Sequence, residues 1–317
     1  MKGSYGAAVK AAGKRYHELI AYAQRFDPIR TAVVHPVDAT SLEGALEAQN
    51  AGLIQAVLVG PEAKIKAAAE QAGVDLSGFE LVPAPHSHAA AEQAVAMARG
   101  ARVQAIMKGA LHTDELMQPV VDKATGLRTD RRISHVFALD VPTYPKHLFV
   151  TDAAINIAPQ LEEKRDIVQN VIDLALALEI DRPKVAVLGP VEIVTPKIPS
   201  TVDAAALCKM ADRGQITGGV VDGPLAFDNA ISEEAARTKG IASPVTGQAD
   251  ILVVPELNSG NILAKQLEYL AGALAAGIVL GSQVPIALTS RADSPLTRMV
   301  SCALAKILAH NKLRTGL

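Results

Sequence analysis

Two periodicities run along the chain. Short aliphatic runs recur, and the stretches between them space apolar residues three and four apart. The runs predict buried strands and the stretches predict amphipathic helices. The pattern predicts a helix over 7–25, a strand at 31–35, a helix over 39–52, a strand at 55–59 and a helix over 62–72. Strand and helix follow again at 80–82 and 87–98, then at 104–107 and 113–121, with Thr113 as an N-cap. Residues 122–135 break the rhythm, because they are polar, dense in charge and contain Gly126; they read as an exposed loop. Strands at 134–139 and 147–151 then follow with no helix between them, which marks where the chain leaves one domain for another. Alternation resumes with a helix over 159–179, a strand at 184–188, a helix over 202–212, a strand at 219–221 and a helix over 227–237. A strand at 251–254, a helix over 258–274 opened by Asn258, a strand at 284–288 and a helix over 294–310 complete the series. Strands joined by helices of this length imply parallel pairing with right-handed crossovers, so the fold class is α/β.

Composition fits this picture. The chain has 317 residues, 49% of them hydrophobic but only 3% aromatic, with no Trp. Ala, Val, Ile and Leu must therefore fill the interior, as they do where helices cover a buried parallel sheet. A net charge of −2 provides no global field to attract nucleic acid or an anionic membrane. Residues 269–290 lack charge, but glycines and Pro285 interrupt them, and they read as a helix end, a turn and a strand rather than a membrane span. Two isolated cysteines, Cys208 and Cys302, rule out a disulfide framework and fit a reducing, cytoplasmic setting.

Ligands of open α/β sheets bind where strands end and helices begin. The most informative junction is Thr289-Ser290-Arg291-Ala292-Asp293-Ser294-Pro295, which runs from a strand into a helix. Ser294 reads as an N-cap with Pro295 at the first helical position. Ser290 and Arg291 precede the cap, where a hydroxyl and a guanidinium suit an anion. At Pro255-Glu256-Leu257-Asn258-Ser259-Gly260-Asn261, small and amide residues serve either a polar ligand or an ordinary cap. Asp222 and Asp228 suit a base or a metal, or else a turn and an N-cap. Asp152 and Asn156 follow one strand, and Lys108 ends another beside Gly109. Arg128, Arg131 and Arg132 lie on the polar loop, where Arg131 reads as solvated; His86 and His88 are either a metal pair or plain loop residues. The chain has no Gly-x-Gly spacing, no Walker A loop and no Gly-x-Ser-x-Gly elbow.

Together these junctions resemble the phosphate acetyl/butyryltransferase family. The resemblance is carried by Met107-Lys108-Gly109, Phe149 to Asn156, Val220 to Ala230, Pro255 to Ile262 and Ser290 to Ser294, all in the family's order. The Ser290-Arg291-Ala292-Asp293-Ser294 form and the absence of an acetyl-type N-terminal extension are more similar to the butyryl-like branch. The resemblance implies two α/β domains with mostly parallel sheets and a cleft between them, of the isocitrate/isopropylmalate dehydrogenase type. One domain would be discontinuous, 1–146 with 285–317, and the other would be 147–284. It implies transfer of a short acyl group, acetyl or butyryl, between CoA and inorganic phosphate by direct attack in a ternary complex. It implies a homodimer, no metal and no tightly bound cofactor, with coenzyme A as substrate and product. The family's site serine falls on Ser290, its adjacent arginine on Arg291 and a second arginine on Arg128. Substrate contacts are expected from Lys108, Asp152, Asn156, Asp222, Asn258, Asn261, Asp293 and Thr297. The acetyl branch has an aspartate where this chain has Thr297, and Asp293 is the nearest carboxylate, so the base is unassigned. Two rival readings are a metal- or nicotinamide-dependent dehydrogenase with His86, His88, His112 and His135 as ligands, and a non-catalytic CoA or acyl-phosphate binder.

Overall fold

A computed structural model describes residues 13–290 and 293–315. In chain order its elements are α1 (Lys14–Ala23), β1 (Ile29–Val34), α2 (Ala39–Asn50), β2 (Ile54–Gly60), α3 (Glu62–Ala72), β3 (Glu80–Pro83), α4 (Ser87–Arg99), β4 (Ala105–Lys108), α5 (Thr113–Val120), β5 (Ser134–Asp140) and β6 (Leu148–Thr151). They continue with α6 (Leu161–Ala177), β7 (Lys184–Leu188), α7 (Pro199–Asp212), β8 (Val220–Leu225), α8 (Phe227–Ile231), α9 (Glu233–Thr238), β9 (Ile251–Val253), α10 (Leu257–Ala271), β10 (Leu274–Leu280), β11 (Ile286–Ala287) and α11 (Pro295–Thr315). The chain forms two compact units, Gly13–Ile133 with everything from Ala276 onward, and Ser134–Ala275.

In the first unit the strands run β3-β2-β1-β4-β11-β10, parallel except for the antiparallel β10–β11 pair. From β1 the chain works outward through β2 and β3, then returns to β1's other side as β4. Such a reversal opens a crevice at the carboxyl ends of the two central strands. These strands are buried on both faces: Ala32, Val33, Val34, Leu58, Val59, Ile106 and Met107 are fully enclosed. The covering helices pack through small residues, as α4 does with Ala90, Ala91, Ala94 and Ala98, so an aliphatic core needs no Trp. The closing helix α11 is buried almost all round, from Val300 through Ala309. Its enclosed lysine, Lys306, is satisfied by donating to the Gly52 carbonyl at 2.8 Å.

In the second unit β5 pairs antiparallel with β6, and β6, β9, β7 and β8 follow in parallel. Here β9 is the returning strand, inserted between β6 and β7. Leu139, Val150, Ala186, Leu188, Leu225 and Leu252 belong to its core. Tyr144 satisfies its buried hydroxyl by donating to the Ala249 carbonyl at 2.6 Å, and burial pushes the phenol up to about 12.

The helix expected over 258–274 stops at Ala271 because Gly272 takes φ +67°, a left-handed turn that leads directly into β10. Its N-cap is Glu256, not Asn258: the Glu256 carboxylate accepts the Asn258 and Ser259 N–H groups at 2.8 and 2.9 Å. The helix expected over 227–237 is two, because Ser232 is extended (φ −127°) and its hydroxyl caps α9 by accepting the Ala235 N–H at 3.2 Å. Thr113 is the first helical residue of α5, preceded by His112, whose N–H donates to Glu115 at 3.4 Å. Asp228 lies inside α8 rather than at its cap. The part of the opening helix expected before Lys14 lies outside the described residues. Among the described residues no helix is long and apolar enough to cross a membrane.

Candidate active site

The first unit presents its polar residues around the ends of β4 and β11. Lys108 closes β4 with its side chain only 6% exposed. Its Nζ donates to the Gly109 and Thr289 carbonyls, each at 3.4 Å, and the Thr289 hydroxyl donates to the Lys108 carbonyl at 3.0 Å. The end of β4 is thereby tied to the segment that leaves β11. Gly109 is needed where β1 and β4 come close: its N–H donates to the Val34 carbonyl at 3.0 Å, and a Cβ would stand 2.4 Å from that oxygen.

Ser290 is exposed. Its N–H donates to Asp293 Oδ2 at 2.7 Å, and the Asp293 N–H donates to the Ser290 carbonyl at 3.2 Å. These two bonds close a turn that holds Ser290 just ahead of α11. Ser294 then caps the helix, accepting the Thr297 N–H at 3.2 Å and meeting the Thr297 hydroxyl at 3.0 Å. Thr297 is thus buried within the cap. Arg291 lies outside the described residues. Arg298, which the sequence pattern did not single out, is buried and donates from Nη1 to the Asp293 carbonyl. Its signal was its position, since a cation in the first turn of a helix opposes the macrodipole.

Arg128 is exposed on the loop between α5 and β5. Buried Leu127 and Ile133 anchor that loop. It is also stitched to the β10–β11 connection: Arg128 bridges to Ser282, the Leu127 carbonyl accepts the Gln283 N–H at 2.8 Å, and the Thr129 hydroxyl donates to the Gly281 carbonyl at 2.7 Å.

In the second unit the richest site follows β6. The buried Asp152 carboxylate accepts five N–H donors: Oδ1 takes Ala154 and Ile155 at 2.9 and 3.0 Å, and Oδ2 takes His135, the Asn156 backbone and Asn156 Nδ2 at 3.1, 3.3 and 2.6 Å. Asn261, on α10, donates to the Ala153 carbonyl at 3.3 Å. Asn258 is exposed one turn earlier on the same helix. Burial pushes the Glu256 carboxyl up, but hydrogen bonds from Ser259 and Asn258 outweigh it and leave the group below its ordinary value. The His135 ring is fully enclosed and its Nδ1 has no partner; burial drives its pKa down to about 4, against the pull of Asp152, so the ring is neutral. Asp222, on β8, accepts the Gly223 N–H at 2.9 Å and is separated from β6 by two strands. Asp228 pairs with Lys239 at 2.9 Å, which holds its carboxyl below the usual range.

The structure therefore joins Lys108, Ser290, Asp293 and Thr297 in one cluster and places Arg128 on its own anchored loop. Asp152, Asn156 and Asn261 form another cluster, with Asn258 beside it and Asp222 apart. His86 Nδ1 accepts the Ala89 N–H at 3.2 Å as a helix cap, and His88 sits 3.7 Å from Glu115. Among the described residues no group of three or more His, Cys, Asp or Glu is placed to hold a metal ion. Burial pushes both free thiols, Cys208 and Cys302, up to about 12, so neither supplies a thiolate at neutral pH.

Two mostly parallel α/β units with hydroxyl, cationic and amide groups at their strand ends form the frame of a phosphotransacylase. The crystal structure of a branched-chain phosphotransacylase from Enterococcus faecalis V583 superposes with a TM-score of 0.77 at 29% identity, covering 89% of this chain and 99% of that one. A family model described as Phosphate acetyl/butaryl transferase matches residues 87–306. The phosphate acetyltransferase of Rhizobium meliloti is 62% identical over 93% of this chain and 93% of its own length. The phosphate butyryltransferase of Clostridium acetobutylicum is 42% identical over 94% of this chain and 99% of its own. The chain belongs to the phosphate acetyl/butyryltransferase family and is a transferase.

Proposed function

We propose that this enzyme transfers a short acyl group between CoA and inorganic phosphate, acyl-CoA + phosphate ⇌ acyl phosphate + CoA, by direct attack with both substrates bound. The observation that carries the reading is the turn fixing an exposed Ser290 in front of a long helix. Arg291 and Arg128 hold phosphate through paired guanidinium hydrogen bonds. A phosphate oxygen attacks the thioester carbonyl carbon, and the oxyanion that forms is met by the Ser290 hydroxyl. The Ser290 N–H already donates to Asp293, which makes the hydroxyl the reacting donor. The intermediate collapses with cleavage of the C–S bond, and CoA leaves as a thiolate. A free thiol has a pKa of about 8.5, so the leaving group needs only modest help, and the hydroxyl at Thr297 is tolerated where the acetyl branch has a carboxylate. Lys108 supports the turn through Thr289, and Asp152, Asn156, Asp222, Asn258 and Asn261 serve substrate binding in the second unit. CoA enters as substrate and leaves as product, and no cofactor is held tightly. The enzyme works in the cytoplasm as a homodimer. Exposed Ile157, Ile193, Ile262, Tyr269 and Leu270, all in Ser134–Ala275, support association through that unit.

The test is CoA release from acetyl-CoA and butyryl-CoA, with and without phosphate. Release that requires phosphate and yields acyl phosphate upholds the reading; release independent of phosphate defeats it. The ratio of the two rates sets the acyl preference. Butyryl is longer than acetyl by two methylenes, each distinguished by about 1–3 kcal/mol in a pocket, so the favoured substrate is expected to react about 30-fold faster or more.

A further inference from the structure

We propose that Arg298 is a positioning residue for acyl transfer, a buried guanidinium that braces the turn carrying Ser290. The inference rests on the role given to Ser290 above.

Arg298 is 6% exposed, and its hydrogen bond from Nη1 goes to a backbone carbonyl rather than to a carboxylate. Its Nε has no hydrogen-bond partner. Arginine is rarely buried without a counterion, because desolvating the charge is costly. The position adds to the cost, since Arg298 sits in the first turn of α11, where the helix dipole repels a cation.

What the guanidinium does form is a bond to the turn. Nη1 donates to the Asp293 carbonyl, while the Asp293 carboxylate takes the Ser290 N–H at 2.7 Å and the Asp293 N–H reaches the Ser290 carbonyl at 3.2 Å. Arg298 therefore acts on Ser290 through one intervening residue.

A second element makes room for it. Gly44 lies inside α2, where glycine destabilises a helix by about 1 kcal/mol relative to alanine. A Cβ at that position would stand 2.9 Å from Arg298 Nε and 3.1 Å from its Cδ. Two choices that each cost stability, an interior helical glycine and an unpaired buried cation, meet at one contact beneath the Ser290 turn.

Arg298→Met keeps most of the stem and removes the charge and the donor. Misplacing a reacting group by about 1 Å costs up to ~100-fold, so kcat is expected to fall about 10- to 100-fold while KM for acyl-CoA stays within about 3-fold. Tm is expected to hold or rise, because an unpaired buried charge is gone. Amide exchange at Ser290 and Asp293 is expected to quicken by about 10-fold or more, with the rest of the protein unchanged. Arg298→Lys, which keeps a cation and a donor, recovers part of kcat. Gly44→Ala displaces the arginine and lowers kcat in the native background, yet has no further effect on kcat in Arg298→Met. Wild-type kcat and exchange in Arg298→Met overturn the proposal. So does a fall in Tm that parallels the loss of activity with exchange raised throughout, the mark of a purely structural residue. If the wild-type enzyme shows no phosphate-dependent turnover, the functional reading fails, and exchange at Ser290 and Asp293 alone decides the brace.

Discussion

Replacing Asp152 with asparagine preserves shape and removes charge, and the structure says what that should cost. The carboxylate is an acceptor on both oxygens, with two N–H donors on Oδ1 and three on Oδ2. An asparagine must turn its NH2 toward one of these sets. With the NH2 at the Oδ1 position, the Ala154 and Ile155 N–H groups face another donor. Hydrogen bonds to a charged group contribute about 1.5–3 kcal/mol each, and stripping one partner from a buried charged contact costs about 3–5 kcal/mol. The other orientation strands three donors and is worse. A net loss of about 3–5 kcal/mol lowers Tm by roughly 10 °C in a unit of this size. Scanning calorimetry measures it directly, and urea unfolding at fixed pH gives an independent value. A Tm within about 2 °C of wild type would refute the idea that Asp152 anchors the segment after β6.

Two further perturbations probe other parts of the structure. Gly109→Ala sets a Cβ 2.4 Å from a backbone oxygen of β1, so it should cost about 1–3 kcal/mol and lower turnover by shifting Lys108 and Thr289; a variant with native stability and rate would contradict this. His135 has its pKa lowered from 6.5 to about 4 in the folded protein. Between these values the unfolded chain binds the proton and the folded one does not, so stability is complete above pH 6.5 and declines as pH falls toward 4, at up to about 1.4 kcal/mol per pH unit. Urea titrations across that range should show the slope in wild type and lose it in His135→Gln; identical slopes would falsify the assignment.

Segments bounded by Pro or Gly were legible in the sequence: α3 at Glu62–Ala72, between Pro61 and Gly73, and β7 at Lys184–Leu188, between Pro183 and Gly189, carry the predicted bounds. β10 was not, because the last residues of the preceding helix, Tyr269-Leu270-Ala271, are as uncharged as Leu274–Leu280, and the left-handed backbone angle at Gly272 separates the two elements. Ser232 likewise divides α8 from α9 by its conformation rather than its residue type, since serine also occurs inside helices. Ahead of α11, the polar junction between strand and helix was legible, and it holds Ser290 and Asp293. The bond between the Asp293 carboxylate and the Ser290 N–H was not, because a short polar run fits several turns. Arg298 was passed over because an arginine four residues beyond a helix cap reads as surface. Its burial depends on α2 and on Gly44, which is distant in sequence.

The most direct test of the account is the turnover of Ser290→Ala with saturating acetyl-CoA and phosphate. Loss of one oxyanion donor removes about 100- to 1,000-fold from kcat. The account predicts that loss, with CoA affinity and Tm close to wild type because the Ser290 N–H keeps its bond to Asp293. Undiminished kcat in a folded Ser290→Ala enzyme would contradict it.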